Sequence, residues 1–173
     1  MYFRSIVFLC FFLASSAATS ADAAADTVIF IVRHAEKEKG KDDPSLSQKG
    51  IERATDLARA LSSNELAVCF CTQFNRTRQT AEIVSKKAAA KLMLVEAGRE
   101  AELAKRISEE HKDQSVLIVG HSNTVPEIVR HFGISTKLTI EESDYDNLLV
   151  VTLCDDAKPR LLHLHYGAEK DGK

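Results

Sequence analysis

Apolar positions along this chain follow two periods that alternate after residue 26. Thr27 to Val32 (TVIFIV) is continuous, β-branched and aromatic, as in a strand buried on both faces. Leu66 to Cys71, Leu92 to Val95, Ser115 to Val119, Leu148 to Leu153 and Leu161 to His165 predict further strands. Between them the spacing turns helical. Ile51, Ala54, Leu57, Ala58 and Leu61 follow a Ser47 cap. Ala81, Ile83 and Val84 predict the inner face of a helix from Arg76 to about Ala90. Leu103 and Ile107 do the same for Glu100 to His111, and a helix from about Asn123 ends at Gly133, a good stop residue. Glu36 to Pro44 is polar, contains Gly40 and reads as an exposed loop. Strand and helix in this alternation predict an α/β fold, a mostly parallel sheet with helices on both faces. Strand order does not follow from the pattern.

The first residues have a different pattern. Arg4 precedes an unbroken apolar run, Ile6 to Ala14, and Ser15 to Ala23 is small and polar, ending in an Ala21-Asp22-Ala23 cleavage pattern. The run is shorter than the roughly 20 residues a spanning helix needs. Residues 1–23 are therefore expected to be a signal peptide, and 24–173 one periplasmic or secreted domain with no stable membrane insertion after cleavage. Bulky Val7-Phe8-Leu9 before Cys10 excludes a lipid-attachment site. Cleavage leaves Cys69, Cys71 and Cys154, an odd number. Cys69 and Cys71 alternate on one face of a strand, so buried free thiols are expected.

Composition narrows the class of function. The chain has 173 residues, 28% charged and 45% apolar, with a formal net charge of -2. That suits an ordinary globular domain and not one that coats nucleic acid, although a local basic pocket is compatible with it.

Ligands of open α/β sheets bind beyond the carboxyl ends of the strands. Arg33-His34 follows the first strand, and Thr72, with Arg76 opening the next helix, follows the second. Glu96 follows the third, and Gly120-His121-Ser122 the fourth. Two Arg, two His and a carboxylate thus converge from distant segments. Arg33 and Arg76 can clamp a phosphate, aided by the helix start at Arg76. His34, kept neutral by guanidinium charge, can act as nucleophile, and His121 can donate to phosphoryl oxygens. Phosphoryl transfer needs little beyond such positioning and charge.

Four segments also resemble a known family. Val32-Arg33-His34-Ala35-Glu36 is similar to the R-H-G/A-E signature of the histidine phosphatase (phosphoglycerate mutase-like) superfamily. Leu46-Ser47-Gln48-Lys49-Gly50 resembles its L-[ST]-x-x-G helix start, Arg76-Thr77-Arg78-Gln79-Thr80-Ala81 its R-T-x-Q-T-A segment, and Gly120-His121-Ser122-Asn123 its second histidine motif. The resemblance covers about residues 28 to 132. It implies a three-layer, Rossmann-like α/β/α fold, no metal and no cofactor. It implies a covalent phosphohistidine at His34, with Arg33, Arg76 and His121 as phosphate ligands. The expected activity is that of a histidine acid phosphatase-type phosphomonoester (or phosphohistidine) hydrolase. Its partner would be a small phosphorylated substrate or a phosphoprotein.

Larger members carry an insertion after the third strand that holds a glutamate proton donor. Here about one helix separates Val95 from Ser115. Glu96 is the first candidate for the donor and Glu100 the second; both also fit solvated carboxylates at a helix start. Three alternatives remain: a phosphoglycerate mutase-type phosphotransferase, a non-catalytic phosphate or phosphopeptide module, and a metal hydrolase. The short chain opposes the mutase, and the intact phosphate pocket weakens the binding module. The metal reading rests on His34-x-Glu36 and on His163 and His165. Cys69-Phe70-Cys71 lacks the Pro and the spacing a zinc deaminase needs.

Overall fold

The computed structural model describes residues 25–40 and 42–168. The expected signal peptide lies outside them. Six strands and four helices alternate in chain order: β1 (Thr27–Arg33), α1 (Gln48–Ala60), β2 (Leu66–Cys71), α2 (Asn75–Ala88), β3 (Lys91–Leu94), α3 (Glu100–Glu110), β4 (Ser115–Gly120), α4 (Val125–His131), β5 (Asn147–Cys154) and β6 (Ala157–His165). The sheet order is β3-β2-β4-β1-β5-β6. The pairings β2–β3, β2–β4 and β1–β4 are parallel, whereas β5 runs antiparallel to β1 and to β6. The mostly parallel α/β sheet expected from the pattern is present, with an antiparallel extension at one edge. The fourth helix begins two residues later than its spacing suggested, because residues 121–124 form a turn above the sheet.

Continuous apolar strands are buried on both faces because each face carries its own core. Ile29, Ile31, Phe70, Val116 and Ile118 pack toward Leu103 and Ile107 of α3 and Ile128 of α4. Phe30, Val32, Cys69, Cys71, Leu117 and Val119 pack toward Leu57 and Leu61 beside α1 and Val84 of α2. Cys69 and Cys71 are buried free thiols on that second face. Ile51, placed inward by its spacing, is 44% exposed.

The segment after β1 is a loop, mostly exposed as expected, and it is anchored at both ends. The chain folds back on itself, with Glu38 N–H donating to the Ser45 carbonyl and Ser47 N–H to that of Glu36, both at 2.9 Å. Pro44 is buried. Ser47 Oγ caps α1 by accepting from Gly50 N–H at 3.2 Å. A Cβ at Gly50 would overlap the Glu36 carbonyl, so the helix start presses directly on the strand exit.

Glu36 is also half of a buried ion pair. Arg53 Nε donates to its two oxygens at 2.8 and 2.9 Å, and Arg53 Nη1 reaches the carbonyls of Tyr166 and Ala168 at 3.2 and 3.1 Å. Arg53 is 5% exposed. Arg53→Met is therefore expected to cost about 3–5 kcal/mol in urea unfolding, because it leaves a buried carboxylate unpaired. A loss below about 1 kcal/mol would show that the pair does not tie the exit of β1 to α1.

Candidate active site

The parallel strands deliver their carboxyl ends to one edge, and the three adjacent strands β2, β4 and β1 carry the chemistry. His34 N–H donates to the Gly120 carbonyl at 2.9 Å, locking the exit of β1 to that of β4. His34 and His121 consequently meet edge to face, with ring centroids 5.4 Å apart. Arg33, His34, Arg76 and His121 line one cleft of about 500 Å3.

Both imidazoles are buried, at 3% and 9% exposure. His34 Nδ1 sits 2.8 Å from its neighbour's carbonyl, Ala35 O, so Nδ1 carries the proton and Nε2 keeps its lone pair. Burial pushes the His34 pKa down to about 3; the charges of Arg33, His121 and Arg76 add to this, against the raising effect of the Ala35 carbonyl. His121 is lowered to about 4, chiefly by burial and then by Arg76 and Arg33. Arg76 Nη2 donates to His121 Nδ1 at 3.4 Å, which leaves the His121 proton on Nε2, 3.0 Å from Thr72 Oγ1. Thr72 Oγ1 in turn lies 2.8 Å from Thr77 Oγ1, which donates to the Phe74 carbonyl. A hydroxyl chain thus orients the second histidine from behind.

These shifts have a sign that can be measured. Between about pH 3 and 6.5 the unfolded chain takes up a proton on His34 that the folded chain refuses. Stability should therefore fall as pH drops through that window and be fully present above it. In His34→Asn the pH slope of unfolding free energy should be shallower by up to about 1.4 kcal/mol per unit. Identical slopes in the two proteins would mean that His34 is not buried neutral.

The two arginines are held differently. Arg33, 1% exposed, is gripped by a segment that sequence reasoning passed over. Its Nη1 donates to the Glu141 carbonyl at 2.9 Å, its Nη2 to Glu142 Oε2 at 2.8 Å, and Tyr145 lies under its guanidinium at 4.1 Å. Glu142 also accepts from Ser122 Oγ. Arg76 lies over the Phe74 ring at 4.6 Å and 3.7 Å from Asp43. Asp43 further accepts the first N–H of α2, that of Asn75, at 3.0 Å, so this donor of the helix start is engaged by the protein itself. Arg33 Nε and Arg76 Nε are both buried and find no acceptor among the described residues.

Glu96 is not brought into the cleft. It is 75% exposed and lies 3.7 Å from Arg99. The cause is topological: β3 is the outermost strand, three places from β1, and strands are about 4.8 Å apart. Glu100, at the start of α3, does line the cleft, as do Glu127 and Glu142. His163 and His165 on β6 do not line it; they contact Asn147 and Asp146. Among the described residues no cluster of three or more His, Cys, Asp or Glu side chains could hold a metal.

Sequence comparison identifies the histidine phosphatase superfamily (branch 1), whose family model matches residues 29–103. A search of curated proteins finds no match. Among solved structures, SixA from Nakamurella multipartitia superposes with a TM-score of 0.65 at 20% identity, over 85% of this chain and 100% of that one. The protein histidine phosphatase SixA complexed with tungstate gives 0.64 at 18%, over 80% and 96%. The mycobacterial glucosyl-3-phosphoglycerate phosphatase gives 0.64 at 12%, over 82% and 100%. At these identities the likeness is one of fold, and it spans the site-bearing sheet. R-H-A-E stands at the exit of β1 and G-H-S-N at the exit of β4, and residues 29–103 of this chain are similar to the histidine phosphatase superfamily (branch 1).

Proposed function

We propose that this protein is a phosphoric monoester hydrolase that works through a covalent phosphohistidine at His34. One observation carries the reading: Arg33 and Arg76, each with a buried Nε–H that finds no acceptor among the described residues, line a cleft that also holds a neutral imidazole with a free Nε2. A tetrahedral phosphate supplies the acceptors those groups lack. The Nε2 lone pair attacks phosphorus and the bond to the ester oxygen breaks, its electron pair going to that oxygen. Water then attacks the phosphohistidine, returning His34 and releasing inorganic phosphate. Arg33 and Arg76 stabilise the equatorial oxygens during both transfers, and His121 joins them once phosphate draws Arg76 off its Nδ1 and the ring takes the other tautomer, Nδ1–H donating to phosphate and Nε2 accepting from Thr72 Oγ1.

The leaving oxygen needs a proton. Glu96 would have to leave Arg99 and cross the edge of the sheet to supply it, whereas Glu100 is already in the cleft. We therefore assign proton donation to Glu100. Glu100→Gln is expected to slow alkyl phosphates at least about tenfold more than aryl phosphates, whose leaving groups need no acid. Glu96→Gln should change neither class by more than about twofold. The reverse result would restore Glu96 as the donor.

Because both histidines stay neutral well below pH 6, the acid-phosphatase class is the finer assignment. Hydrolysis of p-nitrophenyl phosphate at pH 5, inhibited competitively by vanadate or tungstate, tests the whole reading; absence of any turnover with bound tungstate would favour a phosphate-binding module. The apolar run at Ile6 to Ala14 supports export of the mature chain beginning at Ala24. N-terminal sequencing from the native host checks it, and an intact Met1 on cytoplasmic protein would refute it.

A further inference from the structure

The cleft has two ends of opposite character. Arg33 and Arg76 line it with the two histidines, and their guanidinium charge marks that part for an anion. Among the described residues no basic side chain of 97–100 or of the start of α4 lines the cleft; Glu100 and Glu127 do, as does Phe74. Lys37 also lines it and acts on Glu142. The partners of the two wall carboxylates do not neutralise them toward the cleft. Glu100 accepts from Gly98 N–H at 3.1 Å, and Glu127 pairs at 3.5 Å with half-exposed Arg130, a contact worth little in water. A volume of about 500 Å3 is far more than one phosphate fills, so the carboxylate wall faces the leaving group.

Resting on the hydrolase reading above, we propose that the substrate is a phosphomonoester whose leaving group carries a positive charge, an amino-alcohol phosphate in chemical class. Among the described residues three basic side chains and the carboxylates of Glu127 and Glu142 line the cleft, with Glu100 protonated as the acid, so a bound phosphate dianion leaves it one charge negative. A second phosphate or a carboxylate on the leaving group adds repulsion at Glu127. An ammonium group meets attraction there instead, in a cleft whose walls lower the local dielectric constant. Selectivity arises as much from rejecting dianionic metabolites as from binding the cation.

Phosphoethanolamine, glycerol 1-phosphate and phosphoglycolate put a cation, no charge and an anion on comparable primary-alcohol leaving groups. The wild-type ratio of kcat/KM for phosphoethanolamine over phosphoglycolate is expected to be at least about tenfold and to shrink with added salt. Intrinsic reactivity differs between the esters, so the decisive readout is the change of that ratio in Glu127 variants. Glu127→Gln should lower it about threefold or more, and Glu127→Lys should bring it below one. A ratio unmoved by either substitution, or a wild-type preference for phosphoglycolate, overturns the cation assignment while leaving the hydrolase standing. No turnover of any of the three esters overturns the hydrolase reading and this inference with it.

Discussion

His34→Ala will bind tungstate or vanadate yet take up no phosphoryl group, and its turnover will fall by at least about four orders of magnitude. Removing a nucleophile that splits hydrolysis into two steps leaves only the arginine clamp and water, and no other side chain in the cleft can take its place. Cys71, at the end of β2, is a buried thiol pushed up to about 12, so it is not a thiolate at working pH. Ser122 Oγ is committed to Glu142, and Thr72 Oγ1 stands in the chain behind His121. The P–N bond is labile in acid and comparatively stable in alkali. Labelled substrate quenched without acid should therefore leave label on the peptide that contains His34. His121→Ala should label slowly, since it keeps the nucleophile and loses a donor to the transition state. Label on Ser122, Thr72 or Cys71, or turnover in His34→Ala within about tenfold of wild type, would end the phosphohistidine mechanism.

What the sequence made legible was whatever lies directly after a parallel strand. Arg33, His34, Thr72 and His121 follow β1, β2 and β4, and those strands are neighbours in the sheet, so the residues meet. The same rule misplaced Glu96, because hydrophobic pattern reveals that β3 exists but not that it is an edge strand. Glu142 and Tyr145 were missed for the opposite reason. They precede a strand, and a segment before a strand reaches this edge only if that strand is antiparallel. Val32 pairs with Leu148 in just that sense, so residues 141–146 arrive beside the end of β1. The sequence does carry a signal in the acidic run Glu141 to Asp146 immediately before β5, opposite an arginine-bearing strand end. Glu36 was unreadable for a third reason. Its partner Arg53 sits 17 residues on, buried on the inner face of α1, and the fold-back of residues 36–47 brings the two together.

Arg76→Lys will lower turnover by about a hundredfold or more with little loss of stability. Arg76 performs several tasks with one planar group. Nη2 holds the lone pair of His121 Nδ1, the guanidinium plane lies on Phe74, and Nε–H waits unpaired in the buried floor. An ammonium keeps the charge and can reach one of these sites at a time, without the fork that meets two phosphoryl oxygens together. Loss of one preorganised donor to a developing oxyanion costs about 3–4 kcal/mol in the transition state. The fold should barely notice, because Arg76 is the second residue of α2 and its ion pair to Asp43 is long at 3.7 Å and partly exposed. Vanadate affinity should fall in parallel with kcat, since a trigonal oxyanion samples the same clamp. His34 should still become labelled, only more slowly, because its Nδ1 remains anchored on Ala35 and its Nε2 remains free. Thermal unfolding unchanged to within a few degrees, together with a deep loss of both kcat and vanadate binding, would place Arg76 in the clamp. Wild-type turnover in Arg76→Lys would show that Arg33 alone holds the phosphoryl group. Its buried Nε would then be the one guanidinium donor the transition state needs.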